Sequence, residues 1–290
     1  MKIRLLRSEA LRNRLDLMAL LPISGWEVFF YLIPLLFLLI ISFWTSKDYD
    51  LIPTWSLSNY QEVFSNPLFR KAFLWSVWIT IATLLITISV AYPFAYGLAF
   101  VVPKKYRQVI LIAIVAPFWT NYLVRVYSWQ LIIGGNGIIS QSLIALGLID
   151  TPLQILYTHV ATSIGLLHFL ITVMILNLYS TLDNIDRSLI EAASDLGAGP
   201  FRCFFWIIFP LSVPGLAIGT MFVFIFAFTD FIAPSVLGGG TKPVFSQMIV
   251  DAAHWNANYP MASALSAVML LAISAFLLLL FRIVKGIIKG

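Results

Sequence analysis

The stretch DRSLIEAASDLGAGPFRCFFWIIFP, residues 186–210, alternates acidic and small apolar residues while the sequence on either side is almost free of charge. Asp186 is placed to cap a helix running from about Arg187 to Leu196, and Gly197 is placed to end it. Leu189, Ala192, Ala193 and Leu196 fall at helical spacing, so they form one apolar stripe on an otherwise polar helix. A stripe of this kind outside the membrane needs a partner. The residue types suit docking. Alanines permit close helix approach, Glu191 offers a charged acceptor, and Gly197 with Gly199 and Pro200 lets the chain turn back sharply. From the residues alone, an ordinary amphipathic loop helix is the other reading.

Outward from this loop the chain becomes lipid-like. Of its 290 residues, 60% are hydrophobic and only 11% charged, against about 25% charged in a soluble domain. The apolar residues gather into six candidate spans: Val28 to Trp44, Ala72 to Val102, Val109 to Val124 with an extension to Ile133, Val160 to Tyr179, Leu211 to Val236, and Ala262 to Phe281. Helices of this length match a hydrocarbon core about 30 Å thick. The expected fold class is therefore all-α integral membrane, in the cytoplasmic membrane. Residues 1–22 form a basic cytoplasmic segment and residues 23–290 one membrane domain, with the loop at 180–210 inside it. The first apolar run is long for a cleavable signal and lacks a small-residue cleavage site, so it reads as a retained helix.

Orientation follows from the distribution of Lys and Arg. Lys2, Arg4, Arg7, Arg12, Arg14, Lys104, Lys105, Arg107, Arg187, Arg202, Arg282, Lys285 and Lys289 share one side if there are six spans. The other side receives Lys47, Arg70, Lys71 and Lys242, with Arg125 near the outer end of the third span. Both termini are therefore expected in the cytoplasm. The net charge of +5 serves topology by this reading, and no nucleic-acid partner is expected. Pro34, Pro93, Pro117, Pro214 and Pro234 lie inside apolar runs, where kinked helices around a pathway and the ordinary frequency of proline in membrane helices are both open readings.

Several chemistries are not signalled. His159, His168 and His254 are scattered, so no metal site is expected. The single cysteine, Cys203, permits no disulfide within the chain and reads as a packing residue. There is no G-x-x-x-x-G-K-[ST] loop; Gly238-Gly239-Gly240-Thr241-Lys242 has the wrong order. The chain is expected to hold no cofactor and to perform no bond-making chemistry.

Glu191-Ala192-Ala193, then Gly197 after three intervening residues, then Ile207 and Pro210 resemble the EAA loop of ABC-importer permeases, with Phe209 where that pattern prefers Leu. The resemblance implies the six-helix type I ABC-importer permease fold. It also implies that the loop forms a coupling helix seated in an ATP-binding subunit, with Glu191, Ala192, Ala193 and Gly197 at that contact; the cap Asp186 and the stripe residues Leu189 and Leu196 are expected to join them there. It further implies two ATPase subunits that bind ATP and Mg, a second homologous permease, and an extracytoplasmic solute-binding protein.

The resemblance extends across the spans and narrows toward spermidine/putrescine-type permeases through Ala116-Pro117-Phe118-Trp119-Thr120-Asn121-Tyr122-Leu123-Val124-Arg125-Val126-Tyr127 and through Thr229-Asp230-Phe231. It implies a polyamine as solute, with an opine, an amino-acid-like compound or another small organic solute as the alternative. Asp230 is the only carboxylate in the fifth apolar run, and an ionisable group at that depth is a functional candidate. A pathway along Trp119, Asn121, Tyr122 and Asp230 would offer an ammonium group a carboxylate and aromatic faces. The open alternatives are an internal partner for Asp230 and an interfacial belt for Trp119, Tyr122, Tyr127 and Trp129. Arg125 is expected in a salt bridge, with a partner subunit or with Asp150, Asp230 or Asp251. The rival class is a secondary transporter driven by an ion gradient, which Asp230 alone supports.

Overall fold

The computed structural model describes residues 22–47, 50–240 and 242–289; all of the basic segment at 1–22 except Pro22 lies outside them. The described chain opens with helix α1 (Pro22–Ile41), a hairpin of β1 (Thr45–Lys47) and β2 (Asp50–Ile52), the short helix α2 (Ser58–Ser65) and the long helix α3 (Pro67–Val101). The strands pair antiparallel, Thr45 opposite Ile52 and Lys47 opposite Asp50, a small addition to an otherwise helical fold. Helices α4 (Lys104–Trp119), α5 (Tyr122–Ile133), α6 (Ile138–Ala145) and α7 (His159–Asp183) follow. The loop helix α8 (Arg187–Asp195) leads into α9 (Pro200–Thr229), the short helices α10 (Ile232–Leu237) and α11 (Phe245–Val250), and the final helix α12 (Tyr259–Lys289).

Among the described residues α1, α3, α7, α9 and α12 are each long and apolar enough to cross a membrane; α4 with Tyr122–Ala145 forms a pair bent by 93°, a broken span or a re-entrant loop, which brings the number to six if it counts as one span. The expected third span, Val109 to Val124, is therefore broken. Pro117 lies in a tight 3-10 turn (Ala116–Trp119), Thr120 takes an extended ψ of 145°, and the Asn121 side chain accepts from the Leu123 backbone N–H at 2.8 Å to start a new helix. Hydropathy runs across this break because its apolar content is continuous. The expected fifth span, Leu211 to Val236, likewise ends early: α9 stops at Thr229, and α10 starts afresh after Asp230 and Phe231.

The core is the packing of α3, α7 and α9. Leu166, Leu170, Met174, Leu178 and Leu182 recur every fourth residue of α7 and are all buried. They pack with Ala91, Ala95 and Ala99 of α3 and Val223 and Ala227 of α9. In lipid, apolar surface alone does not drive helices together, so close backbone approach has to supply the packing. Gly215 and Gly219, one turn apart on α9, provide it. A Cβ on Gly215 would run into the Thr181 side chain and come within 2.9 Å of the Asn177 carbonyl, and one on Gly219 would meet Met174. A second cluster, around Phe224, Phe228, Phe245, Met248 and Leu265, ties α11 and α12 to the same bundle. Wide π turns at Val28–Leu32 and Phe204–Ile208 each sit just ahead of a proline, Pro34 and Pro210, whose missing N–H interrupts the helical ladder.

Candidate functional site

Two places carry the residues singled out from the sequence. The first is α8, at the end of the bundle where α3 and α4 join. The Asp186 carboxylate accepts from the Ser188 backbone N–H at 3.0 Å, and the helix runs from Arg187 to Asp195. Hydrogen bonding from Ser188 holds the Asp186 carboxyl below its ordinary value. A depressed value means that the charged cap is complete above the ordinary carboxylate range and is lost only as pH falls through the lower, folded value. At the other end Gly197 takes φ +83°, the left-handed conformation that closes a helix, while the Ala198 N–H bonds the Ala193 carbonyl at 2.9 Å.

The stripe on α8 is open. Leu189 is 47% and Leu196 90% exposed, Ala192 and Glu191 are exposed, and only Ala193 is partly covered. The helix is nevertheless fixed to the bundle from below. Arg187 donates to the Ala99 carbonyl at 2.8 Å and lies over the Phe100 ring, so α8 hangs on the end of α3. Beside it the nearly buried Arg107 donates to the Val102 carbonyl at 2.8 Å and pairs with Asp183 at the end of α7. Sequence reasoning used Arg107 only as a topology marker. Its pairing depends on tertiary contact, and the only local hint was a basic residue following the Pro103 turn.

The second place is a cleft of about 270 Å³ between α5, α7 and the α9–α10 break. Asp230 caps α10, accepting from the Ile232 N–H at 3.3 Å and the Ala233 N–H at 3.0 Å. The Tyr122 hydroxyl donates to the same carboxylate at 2.9 Å. These three donors occupy three of about four lone-pair positions on the two oxygens, leaving acceptor capacity on the carboxylate. Phe169 stands between Tyr122 and Phe226, with ring centroids 5.9 and 5.4 Å away, and gives the cleft an aromatic wall. Sequence reasoning missed Phe169 and Phe226, which lie in ordinary apolar runs with nothing local to single them out.

Of the four pathway residues named from the sequence, Asp230 and Tyr122 come together in this cleft. Trp119 is 82% exposed and does not line it, and the Asn121 side chain is taken up in capping α5. Neither lines the cleft with Asp230. Of the partners expected for Arg125, the three within the chain, Asp150, Asp230 and Asp251, are not taken up among the described residues. The Arg125 guanidinium lies over Phe118, Tyr122 and Phe169 at 5.4 to 5.6 Å. Its Nε and Nη1 are buried without a hydrogen-bond acceptor among the described residues. Among those residues no cluster of His, Cys, Asp and Glu has the arrangement of a metal site.

Residues 91–290 match the family described as the binding-protein-dependent transport system inner membrane component. The chain belongs to that family. It is accordingly an inner-membrane subunit of a transport system and not an enzyme. The permease is 35% identical over 258 residues, 88% of its length and 89% of the relative's, to the spermidine/putrescine transport system permease protein PotB of Haemophilus influenzae. It is 32% identical over 264 residues to PotB of Escherichia coli, covering 91% of this chain and 95% of that one. Among solved structures it superposes with a TM-score of 0.79, at 18% identity, on a bacterial ABC transporter involved in the import of the acidic polysaccharide alginate, covering 97% of this chain and 98% of that one. At that identity the likeness speaks for the fold, which is that of the type I ABC-importer permeases.

Proposed function

We propose that this permease is the membrane-spanning subunit of an ATP-driven importer whose solute is a polyamine such as spermidine or putrescine. The observation that carries the ATP-driven part is α8: a capped helix, fixed to the bundle through Arg187, with Leu189, Ala192 and Leu196 open to a partner. Asp186, Leu189, Glu191, Ala192, Ala193, Leu196 and Gly197 make the contact with the ATPase. The polyamine part rests on the similarity to the spermidine/putrescine permeases and on an aromatic-walled cleft holding one carboxylate.

In this reading both termini and α8 face the cytoplasm, and an extracytoplasmic binding protein delivers the solute to the opposite side. Two ATPase subunits bind ATP and Mg and close on α8 and its counterpart in a second, homologous permease; this chain holds no cofactor. Closure on ATP moves α8. Because Arg187 links α8 to the end of α3, and Arg107 in turn joins the end of α3 to Asp183 of α7, that movement reaches the bundle core. As the cleft opens to one face and then the other, Asp230 offers one ammonium group its remaining acceptor position, while the rings of Tyr122 and Phe169 are already engaged by Arg125.

Glu191→Lys tests the coupling assignment. Charge reversal at an interface centre is expected to lower solute-stimulated ATP hydrolysis by roughly tenfold or more, while the amount of folded permease in the membrane stays unchanged. Normal transport by this variant in the assembled importer would show that α8 is not the coupling element.

A further inference from the structure

A groove of about 250 Å³ at the N-terminal end of α3 plays no part in the function above. Val63 and Phe64 of α2, Phe69 and Phe73 of α3, Phe245 of α11 and Val268 of α12 line it, so four elements build its walls. Arg70 is the one charged lining residue. Its guanidinium has no ion-pair or hydrogen-bond partner among the described residues. The groove is open to the surroundings of the bundle along Phe64 and Leu74, which are 62% and 66% exposed.

Depth in the membrane decides what fits. The 35 residues of α3 extend about 52 Å at about 1.5 Å each, well beyond a hydrocarbon core of about 30 Å, so the helix ends reach the headgroup layers. Arg70 is in the first turn of α3, while Phe73 and Leu74 lie a turn further in and Val268 lies about two and a half turns inside α12. Charge and apolar surface are thus arranged in the order of headgroup and hydrocarbon. We infer that this groove binds one membrane phospholipid, its phosphate on Arg70 and part of one acyl chain between α2, α3 and α12. A polyamine does not suit the site, because Arg70 repels it and no carboxylate lines the groove. The lipid lies beside the joint where the Phe245 backbone N–H donates to the buried Ser76 hydroxyl at 2.7 Å, and so braces α11 against α3.

The test uses the full chain, purified from its native membrane with whatever subunits stay bound and washed in detergent, with phospholipid per chain measured by mass spectrometry. The wild type is expected to keep about one phospholipid per chain through the wash. Arg70→Glu is expected to lower retention on the order of tenfold, and Arg70→Lys to keep it. Val268→Phe, which fills the apolar floor without changing charge, is expected to lower it as well. A diacyl phosphatidylglycerol with a photoreactive acyl chain should label peptides of α2, α3 and α12. The inference is overturned if Arg70→Glu and Val268→Phe keep as much lipid as the wild type, if the wild type keeps none, or if cross-links from a cysteine placed at Leu74 show a second permease covering the groove.

Discussion

Asp230 serves two elements with one carboxylate: it starts α10 through the Ile232 and Ala233 amides and it receives the Tyr122 hydroxyl from α5. Cap and charge are separable by substitution, because Asn caps a helix about as well as Asp whereas Ala does not. Asp230→Asn should therefore fold and assemble normally yet take up a dication roughly tenfold more slowly, an effect worth about 1.4 kcal/mol. Asp230→Ala should add a loss of stability of about 1 kcal/mol from the missing cap, read as a lower unfolding temperature in detergent. Unchanged uptake by Asp230→Asn at limiting and at saturating solute would leave Asp230 with the cap alone. Arg125 is the counterpart at this scale, a cation stacked on three rings beside a cleft assigned to cations. The cleft wall formed by Tyr122 and Phe169 stands against its guanidinium.

At the scale of elements, the contact of α7 with α9 depends on the absence of side chains at Gly215 and Gly219. Gly215→Ala is expected to destabilise the folded permease by roughly 1–3 kcal/mol, since Thr181 and the Asn177 carbonyl leave no room for a Cβ. Gly97→Ala is the matched control, for nothing lies within 4 Å of a Cβ there, and it should leave stability unchanged or slightly raised. Equal melting temperatures for the two variants would contradict the close packing. The elements also differ in how far the sequence revealed them. Helix α8 was legible because its signals are local: the Asp186 cap, the stripe from Leu189 to Leu196, and the left-handed Gly197. The breaks at Thr120–Asn121 and Asp230–Phe231 were not, although their local signals were present in Pro117, Asn121 and Asp230. Hydropathy registers composition and is blind to direction, so a run that turns through 93° reads like one that continues straight. Asp230 was read as a buried charge when it is equally an N-cap. The Arg107–Asp183 pair and the Phe169 wall join residues far apart in sequence, and no periodicity announces them.

For the whole molecule, the bundle of α3, α7 and α9 joins the two candidate sites. The end of α7 carries Asp183 just ahead of α8, and Leu166, Phe169 and Leu170 higher on α7 line the cleft at Asp230. Movement imposed on α8 thus has a continuous packed route to the cleft. The claim most in need of testing is that this route is driven from outside, by ATP hydrolysis on separate subunits. The measurement is purification of the full chain from its native membrane, with mass spectrometry of the bound subunits and an assay of ATP hydrolysis with and without a spermidine-loaded binding protein. The account predicts a bound ATPase whose hydrolysis rises when the loaded binding protein is added; a chain that purifies alone and moves solute without ATP would contradict it.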